Sequence, residues 1–229
     1  MQLDALQENN TVLIAGTITE GCVFSHEVYG EGFYTFRISS ERLSDKADIL
    51  PVTISERLID KELLQVGVKV DIVGQLRSYN NYGSKKNRLV LTIFAREIRL
   101  MEDTEDKSEN QIFLNGFICK APVYRKTPFG REISDILVAV NRAYNKSDYI
   151  PCIAWGRNAR FAGDLIVGEK IELGGRIQSR KYQKKISETE SETRTAYEVS
   201  IASIMSIAFE QNEEEEPLEE HYDNLLIED

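Results

Sequence analysis

The chain repeats itself at an offset of one hundred residues. Asn10, Gly16, Ile18, Gly30, Arg42, Asp48 and Pro51 are matched by Asn110, Gly116, Ile118, Gly130, Arg142, Asp148 and Pro151. After one inserted residue the match resumes. Val66, Gly67, Lys69, Gly74 and Ser78 pair with Val167, Gly168, Lys170, Gly175 and Ser179. Shared glycines at shared breaks are what two copies of one backbone need, because glycine marks turns and close approaches. The 229 residues then divide into two units of ordinary domain size and a remainder. The expected division is 1–104, 108–210 and a tail at 211–229, with an acidic joint near 102–109.

Each copy reads as mainly β. In the second, apolar residues alternate over 111–119, 133–142 and 149–155. Thr127-Pro-Phe-Gly130 is a turn signal between the first two. Ala159, Ala162 and Leu165 fall at helical spacing, with Gly168 placed to end that helix. Strands follow over 169–182 and 196–209, separated by a long polar loop at 183–195. Copy one gives strands over 11–19, 33–40, 49–54, 69–77 and 88–100, with a short helix over 58–64 capped by Ser55. A five-stranded Greek-key barrel with a helix between strands three and four is the oligonucleotide-binding (OB) fold. The expected fold class is therefore all-β: two tandem OB barrels, each with that short helix, followed by a disordered acidic C-terminal tail.

Charge is segregated along the chain. The formal net charge is −10. Residues 1–106 sum to −5, residues 107–185 to +8 and residues 186–229 to −13. The only strongly basic segment is thus the second copy, a pointer to an acidic partner. No apolar run approaches membrane-spanning length and no targeting segment opens the chain, so no membrane association and a cytoplasmic, nucleoid-associated location are expected. Cys22, Cys119 and Cys152 are odd in number and widely spaced, which argues against disulfides and metal; all three read as small buried hydrophobes.

Catalysis finds little support. The two histidines, His26 and His221, sit in a turn region and in the tail. No Cys/His spacing suits zinc and no Gly-Lys-Ser/Thr loop is present to cradle a phosphate. A non-enzymatic protein without metal or cofactor is expected, with a nuclease as a remote option. Binding of single-stranded nucleic acid needs cations that follow the phosphates and flat rings for the bases. Copy two supplies both. Tyr149 and the single tryptophan, Trp155, lie six apart on one strand and share a face. Arg176, Arg180 and Tyr182 share a face of the next strand, opposite Ile171, Leu173 and Ile177. Arg142, Arg157, Lys181, Lys184 and Lys185 lie near strand ends, and Arg125 and Lys126 follow Tyr124. A lone tryptophan is more often core than ligand. Strand-face cations are usually only the wet side of a sheet. The coincidence of rings and cations in the one basic segment favours binding.

Copy two also resembles the bacterial single-stranded DNA-binding protein family over roughly 110–209. The matching residues are Leu114-Asn-Gly116, Pro122, Arg125 with Thr127-Pro and Gly130, Val138-Ala-Val-Asn-Arg142, Ile153-Ala-Trp-Gly-Arg157 with Ala159, Gly168, and Gly175-Arg-Ile-Gln-Ser-Arg-Lys-Tyr182. The resemblance implies sequence-tolerant binding and protection of single-stranded DNA in replication, recombination and repair. It places base-stacking rings at Tyr149, Trp155 and Tyr182, with tyrosine at two positions where the family has tryptophan, a change expected to weaken stacking. Copy one has Ile49, Ser55 and Asn81 at those positions and is expected to be mainly structural, with Tyr79, Tyr82, Lys85, Lys86 and Arg88 able to touch DNA from a loop. Family members assemble with four barrels, which implies a homodimer of this two-barrel chain. Family tails are acidic and dock repair and replication proteins through a terminal Pro-Phe peptide. This chain ends differently, and Leu225, Leu226 and Ile227 are the expected docking residues. The rival reading is an OB-fold interaction module of a primosome-like or recombination complex, with DNA contact secondary.

Overall fold

The computed structural model describes residues 9–42, 44, 46–81, 88–102, 108–185 and 191–207. The first five strands are β1 (Asn10–Val28), β2 (Glu31–Glu41), β3 (Ala47–Ser55), β4 (Lys69–Asn81) and β5 (Arg88–Leu100). The next five are β6 (Asn110–Lys126), β7 (Glu132–Arg142), β8 (Lys146–Trp155), β9 (Lys170–Lys185) and β10 (Ser191–Ser206). A single α-helix among the described residues, α1 (Arg157–Asp164), lies between β8 and β9.

The pairings of β6–β10 close into a five-stranded barrel. β6 pairs with β7 and β9, β7 with β8, β9 with β10, and β10 closes against β8 in parallel through Val199 and Ser200. Strands β1–β5 make the same ring, closed where β3 runs parallel to β5 at Val52 and Thr53. The inward faces are aliphatic. Ile14, Ile38, Leu50, Ile72 and Ile93 fill the first ring, and Ile112, Ile118, Ile150, Ile177 and Val199 the second, all with almost no exposure. Burial of such side chains supplies roughly 25 cal/mol per Å² of apolar area, which fixes the register of every strand.

The two rings join by strand pairing. β1 runs antiparallel to β6, with Asn10 opposite Leu114 and Ile14 opposite Asn110, so all ten strands belong to one hydrogen-bonded sheet. The contact is two-fold in character: the Ala15 N–H donates to the Glu109 carbonyl at 2.9 Å and the Asn115 N–H to the Asn9 carbonyl at 2.8 Å. Gly16 and Gly116 explain their place in the repeat. A Cβ there would stand 2.6 Å from the Ser39 carbonyl oxygen and 2.5 Å from that of Ala139.

Several sequence expectations change. Strands are longer than alternation suggests, because their distal halves pair with one neighbour and leave the core. Beyond Glu20 most of β1 is exposed yet stays paired with β2 to Val28. The polar stretch expected as a loop at 183–195 is largely hairpin: β9 and β10 pair out to Lys185 and Ser191. The helix expected at 58–64 is only a 3-10 turn, Lys61–Leu63, capped by the Asp60 carboxylate, which accepts from the Glu62 N–H. Ser55 instead ends β3, accepting from the Arg57 N–H and donating to Glu31. Gly168 does not cap α1, whose C-cap is Leu165; with φ of 91° it makes the turn into β9, as Gly67 with φ of 94° does before β4. Only Cys152 is buried, and burial pushes its thiol pKa well up; Cys22 and Cys119 are half-buried. Within the expected joint, residues 103–107 lie outside the described residues, as do Tyr82, Lys85, Lys86 and residues 208–229, including Leu225, Leu226 and Ile227.

Candidate nucleic-acid interface

Strand β8 sorts its side chains by parity, with buried Ile153 the exception on its outer face. Asp148, Ile150, Cys152 and Ala154 are buried, while Tyr149 and Trp155 are 46 % and 41 % exposed. The strand period of two puts both rings on the outer face of the barrel. Trp155 is the last residue of β8 and stands opposite Ile133 of β7. Gly156, at φ of 54°, then swings the chain into α1, whose Ala159 and Ala162 plug the barrel end and leave Arg157 exposed. One strand thus presents two half-exposed rings with a cation just past the second.

The β9–β10 hairpin carries the next group. The Arg180 guanidinium lies 5.9 Å from the centroid of the Tyr182 ring, and its Nε is 3.5 Å from Glu198 Oε1. Tyr182 is half-buried, opposite Arg194 of β10. Lys181 is exposed and Lys184 half-buried; Lys185 is the last residue of β9, and its side chain lies outside the described ones. At the β6–β7 hairpin, Arg125 pairs with Asp135, and Lys126 Nζ stands 3.6 Å from Glu132. Glu132 also accepts from Arg160 Nε at 2.7 Å and from the Tyr124 hydroxyl at 2.9 Å. The hydrogen bonds from Arg160 and Tyr124 hold its carboxyl below the usual range, so this anion stays charged beside the cations.

Arg142 and Arg176 stand elsewhere, in a seam between the two barrels. Arg176 pairs with Asp48 of β3, across the whole repeat. Arg42 makes the same carboxylate bidentate, with Nε and Nη2 at 2.9 and 2.6 Å. The Ser179 N–H donates to it at 2.8 Å. Burial would push the Asp48 carboxyl up; the Arg42 and Ser179 hydrogen bonds, with the charges of Arg42 and Arg176, outweigh it and hold the carboxyl below its ordinary range. The mirror arrangement centres on Asp148. It accepts the Ser78 N–H at 2.7 Å, with Arg77 and Arg142 at 3.6 and 3.7 Å. Burial pulls both the Arg77 and Arg176 guanidinium pKa values down. Asn10 and Asn110 finish the pattern by giving Leu76 and Ile177 a side-chain amide in place of a strand partner, at 2.8–2.9 Å.

The residues common to both copies therefore build the seam, while Tyr149, Trp155 and Tyr182, which belong to copy two, stand on its outer surface. Sequence reasoning missed the seam and Tyr197, whose hydroxyl accepts from Arg37 Nη1 at 3.0 Å across the barrels. The only signal for the seam was the sharing of Arg42, Asp48 and Ser78 with Arg142, Asp148 and Ser179. Among the described residues no cluster of three His, Cys, Asp or Glu side chains is arranged to hold a metal ion, and no helix is long and apolar enough to cross a membrane.

Residues 109–207 match the model of the single-strand binding protein family. The chain is 32 % identical over 83 residues to a single-stranded DNA-binding protein of Clostridium tetani, covering 33 % of this chain and 57 % of that one. It is 32 % identical over 104 residues to a single-stranded DNA-binding protein of Fusobacterium nucleatum, covering 42 % and 64 %. The chain thus spans between half and two thirds of the length of these relatives. In architecture it is similar to a deletion mutant of the single-stranded DNA binding protein from Thermus aquaticus, with a TM-score of 0.72 over 90 % of this chain and 98 % of that one, at 19 % identity.

Proposed function

We propose that this chain, which belongs over residues 109–207 to the single-strand binding protein family, binds and protects single-stranded DNA without sequence preference, in replication, recombination and repair, and without enzymatic chemistry. The observation that carries the reading is the pair of half-exposed rings, Tyr149 and Trp155, on one outer strand face within the matched segment. Each base stacked on such a ring is worth about 1–3 kcal/mol and every base has a face to offer. Tyr182 with Arg180 extends the surface along the β9–β10 hairpin. Arg125, Lys126, Arg157, Lys181, Lys184 and Lys185 meet the phosphates. Arg142 and Arg176 serve the seam instead.

The chain is read as two tandem OB domains, 1–104 and 108–210, with 211–229 as an acidic tail through which Leu225, Leu226 and Ile227 dock replication or repair proteins. The location is the cytoplasm, on the nucleoid. A homodimer is supported by an apolar patch on the outside of β6, β9 and β10. Phe113 and Met205 are 51 % and 58 % exposed there and flank an open groove of about 600 Å³. Sedimentation at micromolar concentration tests the dimer.

The experiment for the function is a competition. A labelled oligo-dT bound to the protein is challenged with unlabelled single strands of unrelated sequence and with duplex of the same length. Single strands of any sequence should displace the label alike, and duplex should not. Preferential displacement by duplex, or no binding of oligo-dT at low salt, contradicts the reading.

A further inference from the structure

The first barrel lacks rings at the positions of Tyr149, Trp155 and Tyr182, but it does not lack rings on the corresponding face. In β8 Trp155 stands opposite Ile133 of β7. In the first barrel the same cross-strand pair is Ser55 and Phe33. The aromatic ring has changed strands within one pair of facing residues. A second ring follows. Phe94 of β5 lies beside Thr53 of β3, where β10 has Ser200 beside Ile153.

These rings form a row. His26 of β1 stacks on Phe33 with centroids 5.0 Å apart and planes 9° from parallel. Phe33 and Phe94 lie 5.8 Å apart at 34°. The Arg77 guanidinium is 5.6 Å from the Phe94 centroid. Arg96 stands next to it, sharing with Arg77 the side-chain oxygen of Gln75. An exposed imidazole and two half-buried rings, ending in two guanidinium groups, are the chemistry that takes bases on one side and phosphates on the other.

The row also leads into the second barrel. Arg77 is 3.6 Å from Asp148, and the Ser78 hydroxyl accepts the Tyr149 N–H at 2.7 Å. Tyr149 is the first ring of the second barrel's surface. Resting on the reading of that surface given above, we propose that His26, Phe33 and Phe94, with Arg77 and Arg96, form a second stacking site for single-stranded DNA on the first barrel, and that the strand crosses between the barrels at the Ser78–Tyr149 junction. The site's rings come from strands other than those used in the second barrel, so a position-by-position comparison of the repeats passes over it.

The test compares the wild-type chain with the double variant F33I/F94S, which installs the residues that the second barrel carries at those places. A labelled dT oligomer of about eight nucleotides, short enough for one OB surface, is titrated onto each. Trp155 fluorescence reports the second barrel separately. The wild type should take two oligomers per chain and the variant one, with Trp155 quenching the same in both. One oligomer on the wild type with Trp155 quenched, or two on the variant, overturns the second site. Loss of Trp155 quenching alone counts against the second barrel's surface and leaves this site standing. Photo-crosslinking of the wild type to iodouracil-substituted oligo-dT guards against a folding defect in the variant. Crosslinked peptides should include Phe33 or Phe94; crosslinks confined to 149–182 contradict the proposal.

Discussion

The Asp48 carboxylate of the first barrel accepts the Ser179 N–H of the second at 2.8 Å, and it is fully buried while doing so. Its counterpart Asp148 accepts the Ser78 N–H at 2.7 Å. Each barrel inserts one acid into the other's strand, and each acid is surrounded by arginines. Together with the β1–β6 pairing, this reciprocal contact holds the two barrels to each other.

Replacing Asp48 with Asn keeps an acceptor for Ser179 and removes the charge facing Arg42 and Arg176. The two arginines, 25 % and 31 % exposed, are left without their anion. Hydrogen bonds to charged groups contribute about 1.5–3 kcal/mol each when their loss leaves a partner unmatched. Partial exposure reduces that, and D48N should lose about 1–3 kcal/mol by denaturant unfolding. An unchanged midpoint contradicts the seam.

Acid should weaken the same contact. The native Asp48 carboxyl binds its proton less readily than the unfolded one, because its pKa is lowered. Its contribution is therefore complete at neutral pH. It begins to fall as pH drops through the ordinary carboxylate value of about 3.9 and is gone below the lowered native value. Stability measured across this window should fall more steeply for the wild type than for D48N. Parallel curves would show that Asp48 is not the titrating group.

Truncating the rings should separate binding from folding. W155A and Y149A are each expected to weaken oligo-dT binding about 5- to 150-fold, the range for losing one stack of about 1–3 kcal/mol. Anisotropy of a labelled oligomer measures it, since W155A removes the only tryptophan. Both side chains are nearly half exposed, so the unfolding midpoint should move little. A variant that unfolds would place its ring in the core.

Cations in the two settings should respond differently. K181A removes an exposed charge beside Tyr182 and should lower the slope of log affinity against log salt by about one contact. R176Q removes the partner of Asp48 and supplies the residue found at Gln75 in the repeat. It should cost stability and leave the salt slope nearly unchanged. A reduced slope for R176Q would return Arg176 to the DNA.

The barrels were legible because period-two alternation and turn glycines agree in both copies, and helix spacing marks α1 in the second. Alternation fails where a strand leaves the core, which is why no strand is expected over Glu20 to Val28 and the outer part of the β9–β10 hairpin, 183–195, reads as a loop. The helix over 58–64 was overread because Leu58, Leu63 and Leu64 mimic an apolar face; only Leu64 is buried. Tyr149 and Trp155 were legible because both lie on one strand. The seam was not, because Asp48 and Ser179 are 131 residues apart and hydrogen-bond only once both barrels exist. The rings of the first barrel were hidden for a related reason. Phe33 occupies the strand opposite the position where a ring was sought.

The most direct measurement is the fluorescence of Trp155 during titration with oligo-dT at low salt, repeated at rising salt. Stacking of a base on the indole predicts strong, saturable quenching that weakens as salt competes for the phosphates. Binding of the oligomer with no change in Trp155 emission would place the strand elsewhere on the molecule and contradict the interface described above.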